Sequence, residues 1–315
     1  MRITILGGAG GMGEWFARFF KDNNCDVRIV DISDKTETVA NELGVQFSTA
    51  DILELNEEGL KEAFADTDVV LVSVPVDITG RVIERVGPEM HEGSLLMDVT
   101  SVKRAPVEMM EKCTNEGVEV LGTHPLFGPS AKSLRGMPVI FVPIRKGLLY
   151  EEIYNLFERH GAKIELLTAD EHDEIMAVIQ GLPHFILFAY GITLKDLNFD
   201  VERARRFMGP MYEVVLDFVG RLLHQDPQLY AQIQTNFEMN AVHETFLAAA
   251  TRLSELVSEG NVDAIMEEMQ MAKRHFGNTG GAMRDSDRII EEKIKHSLEN
   301  EALPATDRKK RAWPE

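Results

Sequence analysis

Three groups of residues have the types and spacing to do chemistry. The first is Gly8-Ala9-Gly10-Gly11-Met12-Gly13, where Gly8, Gly10 and Gly13 fit G-x-G-x-x-G. Gly8 permits a tight turn, Gly10 lets a pyrophosphate approach the backbone, and Gly13 lets the next helix pack closely. Gly11 and Met12 belong to the helix start, whose unpaired N–H groups and positive dipole end suit phosphates. The second is Asp31. It closes a strand about twenty residues past the loop, where an acid hydrogen-bonds a ribose 2′-hydroxyl and repels a 2′-phosphate. The expected cofactor is therefore NAD rather than NADP. The third is His124, in Thr123-His124-Pro125-Leu126-Phe127-Gly128-Pro129. A histidine at a strand end beside a cofactor loop is a candidate acid or base.

These residues need a scaffold. Arg2-Ile3-Thr4-Ile5-Leu6 reads as a buried strand and residues 25–31 as a second. Between them Met12, Trp15, Phe16, Phe19 and Phe20 mark one buried helix face. Short helices are expected near 34–44, 51–66, 77–90, 105–116 and 149–160, with strands at 45–47, 68–75, 94–101, 119–123, 138–143 and 163–167. Alternating strands and helices predict an α/β fold with a doubly wound parallel sheet. Ligands of such sheets bind beyond the carboxyl ends of the strands. Three of those ends carry unusual residues: Ser73-Val74-Pro75-Val76-Asp77, Asp98-Val99-Thr100-Ser101-Val102-Lys103, and the His124 segment. Val74 and Pro75 are expected on the cofactor side.

After residue 167 the strand patterns stop. Thr168-Ala169-Asp170-Glu171 is a capping box that opens a helical stretch through Leu194, with Pro183 expected to kink or interrupt it. Apolar residues at helical spacing continue, such as Phe246, Leu247, Ala250, Leu253, Leu256 and Val257. The expected division is a nucleotide-binding Rossmann domain over 1–167 and an all-helical substrate and dimerisation domain over 168–300. The basic segment at 301–315 reads as a frayed tail.

The chain has 315 residues and a formal charge of −19. That charge argues against nucleic acid, and an anion site here must be locally basic. Cys25 and Cys113 are too few for a disulfide scaffold or a metal site. No apolar run is expected to reach a membrane span, and strand one begins at once, leaving no room for a signal peptide. The expectation is a cytoplasmic protein with a small-molecule substrate, no membrane partner and no metal.

The segments GAGGMG, DVTSVK, HPLFGP and LPHF together resemble the prephenate dehydrogenases. Glu171-His172-Asp173 and the stretch from Gly220 to Ala231 resemble the dehydrogenase part of the bifunctional bacterial chorismate mutase–prephenate dehydrogenases. The resemblance spans about residues 1–280. It implies NAD-dependent oxidative decarboxylation of prephenate to 4-hydroxyphenylpyruvate, and an enzyme that is usually a dimer. By resemblance His124 is the base, and Ser101 orients the substrate hydroxyl or holds the imidazole. Arg221 grips a substrate carboxylate, and His184 supports that arginine or a carboxylate. Lys103 binds cofactor or carboxylate, or simply sits at the strand edge. His172 reads as part of a solvated helix start. Two positions depart from the family pattern: Met239 stands where many relatives carry a basic residue, and Ser130 where some carry an acid. Both bear on the substrate side, so arogenate is the alternative substrate. Another hydroxy-acid or imine dehydrogenase with a helical domain is the alternative enzyme.

Overall fold

The computed structural model describes residues 1–301 apart from 65, 237 and 238. The tail at 302–315 lies outside the described residues. Eight strands form one sheet: β1 (Arg2–Leu6), β2 (Asp26–Asp31), β3 (Gln46–Thr49), β4 (Val69–Val72), β5 (Leu95–Asp98), β6 (Glu119–Pro125), β7 (Pro138–Arg145) and β8 (Lys163–Leu166). Seven helices accompany them: α1 (Gly11–Asp22), α2 (Thr36–Leu43), α3 (Glu57–Phe64), α4 (Val76–Val86), α5 (Arg104–Cys113), α6 (Leu148–Arg159) and α7 (Ala169–Met176).

The strand order is β3-β2-β1-β4-β5-β6-β7-β8. β1 to β6 run parallel, doubly wound about β1 and β4 as the alternating pattern implies. The last two strands depart from it. β7 is antiparallel to β6, and β8 is parallel to β7. The reason lies in the connections. No helix separates β6 from β7, and a parallel neighbour needs a crossover. The β7–β8 link contains α6 and restores parallel pairing.

The core explains the register. Ile3, Ile5, Val27, Ile29, Val69, Leu71, Leu95 and Met97 come from four adjacent strands and are all buried. Alternation places them on one face, and α1 closes it with Phe16 and Phe20. Phe16 stacks on Phe20 and on Phe157 of α6, at 5.9 and 6.1 Å between ring centroids. Thus α1, which must present its N-terminus to a ligand, is locked by aromatic packing at its far end.

The chain divides into two compact units: Met1–Gly181 with Gln228–Met239, and Leu182–Pro227 with the residues from Asn240. The remaining helices are α8 (Leu182–Asp196), α9 (Val201–Ala204), α10 (Pro210–Leu223), α11 (Pro227–Asn236), α12 (Met239–Ser258), α13 (Val262–Phe276) and α14 (Thr279–Glu301). In the second unit α8 packs on α10 and α10 on α14. Gly191 of α8 admits Val219 and Leu223 closely, and Lys293 of α14 pairs with Asp217 and Glu213 of α10.

Thr168 caps α7 in the expected box, accepting from the Glu171 amide at 3.2 Å while Glu171 accepts from the Thr168 amide at 2.8 Å. A π-turn spans Ala177–Gly181 before α8 begins. Pro183 has no N–H for the carbonyl of Ile179, so the regular helical bond is lost there and the wider turn takes its place. One expectation is corrected. The helical run Ala169–Asp196 is long and apolar enough to cross a membrane by length and composition. Its first part is anchored in the sheet unit, where His172, Asp173 and Met176 are buried. In α8 no residue is buried, and Ile186, Phe188, Tyr190 and Ile192 are exposed. A helix apolar on every side calls for cover on every side.

Candidate functional site

The glycine loop is wound tightly enough to exclude side chains where it packs. Gly7 has φ +78°, and a Cβ there would lie 2.3 Å from the Ser73 carbonyl oxygen. The G-x-G-x-x-G reading passes over Gly7, although its place at the end of β1 makes it the turning residue. A Cβ on Gly13 would lie 2.1 Å from the Gly7 oxygen, so α1 can approach the loop only with glycine there. Gly10 differs: a Cβ there would meet only the Gly7 oxygen, at 3.3 Å. Its outer side is open for a ligand. Gly10 is the extended N-cap of α1 and supplies no capping side chain. The amides of Gly11, Met12 and Gly13 are therefore uncapped donors at a positive dipole end. A dinucleotide pyrophosphate fits this cradle.

Asp31 is tied to the same loop. Its Oδ2 accepts from the Ala9 amide and its Oδ1 from the Ser33 amide, both at 2.9 Å. Each carboxylate oxygen retains capacity for a further hydrogen bond. Arg28 turns away, donating to the Gln46 side chain at 3.0 Å and to the Ala63 carbonyl at 3.3 Å. Val74 is half-buried against Gly7, with Cγ1 3.2 Å from where a Cβ would stand, and Pro75 caps α4 at the surface.

The segment after β6 lies across the first turns of α1. Pro129 Cγ is 2.9 Å from the position of a Cβ on Gly11. Trp15 donates from Nε1 to the Ala131 carbonyl at 2.7 Å, and its ring stands 5.0 Å from that of Phe127. His124 is thereby anchored to the element that forms the phosphate cradle. Ser130, one of the two departures, is exposed in this segment.

His124 is 3% exposed. Its Nδ1 lies 2.8 Å from Nε2 of His172, and Nδ1 of His172 lies 2.6 Å from Oδ1 of Asp173. Asp173 also accepts from the amides of Lys103, at 2.9 Å, and Arg104, at 3.0 Å. Burial first, then His172 and Lys103, push the His124 imidazole well below its ordinary pKa. Burial likewise pulls His172 down, against the opposing hydrogen bond to Asp173. Both rings are neutral at pH 7. For Asp173 burial opposes ionisation, but the hydrogen bonds from His172 and the two amides outweigh it and hold the carboxyl below its usual range.

Three expectations are corrected here. His172 is not at a solvated helix start; its side chain is 0% exposed, because α7 turns that face onto the sheet. Lys103 is neither a free cation nor a strand-edge residue. It is also 0% exposed, and its ammonium is paired with Asp98 and lies 3.1 Å from Thr100 Oγ1. Burial lowers its pKa, and Asp98 works in the opposite direction. The imidazole of His124 is held by His172, and no hydrogen bond joins it to Ser101 among the described residues. Ser101 is half-buried in the β5–α5 connection.

The second unit carries the other two candidates. Arg221 is exposed on α10 and makes no ion pair with the described residues. His184 is half-buried near the start of α8, and burial lowers its pKa. Met239, the other departure, belongs to the first unit and is buried against the π-turn, where a Cβ on Gly181 would lie 2.5 Å from its sulfur.

Two family models match the chain: the prephenate dehydrogenase nucleotide-binding domain over residues 16–166, and the prephenate dehydrogenase dimerization domain over 168–271. The chain is 39% identical to a probable arogenate/prephenate dehydrogenase of Methanocaldococcus jannaschii over 88% of its own length, and spans 61% of that protein. It is 30% identical to the T-protein of Enterobacter agglomerans, covering 88% of this chain and 68% of the relative. The fold resembles the crystal structure of prephenate dehydrogenase from A. aeolicus with hydroxyphenyl propionate and NAD+, at TM-score 0.69 and 20% identity, over 88% of this chain and 98% of that one. The chain belongs to the prephenate dehydrogenase family.

Proposed function

We propose that this dehydrogenase oxidises and decarboxylates prephenate, with NAD as hydride acceptor and His124 as general base. One observation carries the reading. His124 projects from the carboxyl end of β6 in a segment that lies against the glycine cradle, with its Nδ1 already engaged by His172. The nicotinamide, when bound, supplies the hydride acceptor. The protein's share is to take the proton of the ring hydroxyl at His124 Nε2 while the carbon beneath it loses hydride. General base help of this kind is typically worth about 10²–10⁴ in rate. Loss of the ring carboxylate as CO2 then restores aromaticity and needs little further assistance. Ser101 orients the hydroxyl. Arg221, a cation on a chain of charge −19, binds a substrate carboxylate through a charge-assisted fork. Asp31, with a carboxylate set against Ala9, supports NAD over NADP. The apolar surface of α8, together with the dimerization-domain match over 168–271, supports a homodimer formed through the helical unit.

Arogenate is the second reading. The relative from Methanocaldococcus jannaschii carries both substrates in its name. A spectrophotometric assay of NADH formation with prephenate and with arogenate separates the two. We expect turnover on prephenate, and we expect His124→Asn to keep substrate affinity while losing about two to four orders of magnitude in turnover. Turnover on arogenate alone would reverse the substrate assignment. Unchanged turnover in His124→Asn would remove the base.

A further inference from the structure

The reading of His124 as the base leaves His172 and Asp173 without a role, yet both are buried behind it. We propose that Asp173 and His172 form a positioning relay that makes Nε2 of His124 the basic nitrogen and supports the charge on that ring when it takes a proton. The inference rests on the proposed base.

Asp173 Oδ1 faces the Lys103 amide and the His172 ring, and Oδ2 faces the Arg104 amide. Those two amides open α5, so the carboxylate sits at a positive dipole end with three donors fixed around it. An ionised carboxylate can only accept, so Nδ1 of His172 must be the donor. In a neutral ring the other nitrogen is then an acceptor. Nε2 of His172 accepts, and its partner 2.8 Å away, Nδ1 of His124, carries the hydrogen. Nε2 of His124 is left with a lone pair, the state a general base requires. The order of protons along the chain is thus set by two backbone amides at its far end.

The relay also answers an electrostatic difficulty. Burial and the nearby Lys103 ammonium oppose a cationic His124. When the substrate hydroxyl proton moves to Nε2, the positive ring meets an acceptor nitrogen and, one ring further, a carboxylate. No other proton need move: the hydrogen on His124 Nδ1 and that on His172 Nδ1 stay in place. In serine hydrolases a carboxylate behind the histidine selects the tautomer in the same way, and replacing it by an amide costs about 10⁴ in kcat.

The test measures kcat and KM with prephenate and NAD for His124→Asn, Asp173→Asn and His172→Gln, together with imidazole nitrogen NMR of the full chain. Asp173→Asn removes the charge that holds the hydrogen on His172 Nδ1, and an NH2 turned toward His172 reverses the order of protons. We expect kcat to fall about 10²- to 10⁴-fold with KM within about threefold, and His124 Nε2 to become protonated. In His172→Gln the side-chain oxygen still accepts from His124 Nδ1–H and the amide still donates to Asp173. That variant should retain the tautomer and lose only about tenfold in kcat. Asp173→Asn with near wild-type kcat, beside an inactive His124→Asn, would overturn the relay and leave the base intact. A protonated His124 Nε2 in the wild type at neutral pH would overturn it as well, even if the Asp173 variant failed to fold. An active His124→Asn would instead remove the base, and the relay with it.

Discussion

Two neutral histidines in one buried chain make the stability of the sheet unit depend on pH, and the size follows from linkage. His124 and His172 have folded pKa values below the ordinary 6.5, with burial the leading cause in each case. A group of this kind takes up its proton in the unfolded chain first. Its stabilisation is complete above the unfolded pKa and is lost as pH falls toward the folded one. Between about pH 7 and pH 5.5, a histidine that stays neutral when folded loses about 1.2 kcal/mol. Two such rings lose about 2.5 kcal/mol together, less by whatever proton His172 accepts in the folded state inside that window. The groups facing the pair are Asp173, Asp98 and Lys103. The hydrogen bonds from His172 and the two backbone amides hold Asp173 below its usual range, outside this window.

The assay is urea unfolding followed by tryptophan fluorescence, with Trp15 as a reporter on the segment that carries His124. Wild type is compared with the double variant His124→Gln, His172→Gln at both pH values. Titrating groups remote from the pair contribute equally to both proteins and cancel. The wild type should lose about 2 kcal/mol more than the variant on acidification. Equal losses in the two proteins would mean that both rings take up protons when folded as readily as in the unfolded chain, and the buried neutral pair would have to be abandoned.

Two further predictions concern the surroundings of the site. Lys103→Met should destabilise the protein by about 3–5 kcal/mol in equilibrium unfolding, because it strands the Asp98 carboxylate, whose Oδ1 already lacks a partner, in a fully buried position; a loss below about 1 kcal/mol would show that Asp98 can shed its charge cheaply. Gly13→Ala should weaken NAD binding at least about tenfold by calorimetry and cost about 1–3 kcal/mol of stability, since its Cβ would be driven into the backbone oxygen of Gly7; unaltered affinity would mean that the loop yields without disturbing the cradle.

The parts of the molecule that were legible in the sequence share one property: their meaning is local. Gly10 and Gly13 answer only to the loop before them and the helix they open, whereas Gly8 packs against Ile29 of β2. The Thr168 box is complete within four residues. The antiparallel β7 departs from the parallel expectation, although no helical pattern separates it from β6. Gly7 was less legible, because what forbids a side chain there is the Ser73 carbonyl on the neighbouring strand. Lys103 and His172 misled for a stronger version of the same reason. Lys103 follows a strand end, where lysines are ordinarily solvated, and its partner Asp98 stands five residues back across a loop. His172 follows Asp170 and Glu171 in the first turn of a helix, where charged side chains ordinarily complement the dipole from the solvent side.

What overrides that local preference is a tertiary condition. α7 must dock so that His172 reaches a ring 48 residues away while Asp173 meets amides 69 and 70 residues away. A helix beginning with acids would ordinarily keep them at its own N-terminus. Here Asp170 pairs with Arg104 and Glu171 closes the cap, which leaves Asp173 free to serve the N-terminus of α5 instead. Burying an imidazole pair, a carboxylate and a lysine ion pair side by side is costly when any member lacks its partner. Such an arrangement persists where the network is nearly complete, and the departures from local rule mark the place where a fold has been shaped around chemistry. The docking of α7 therefore does two things with one interface: it buries Met176, and it joins Asp173 and His172 to His124 in one buried hydrogen-bonded chain.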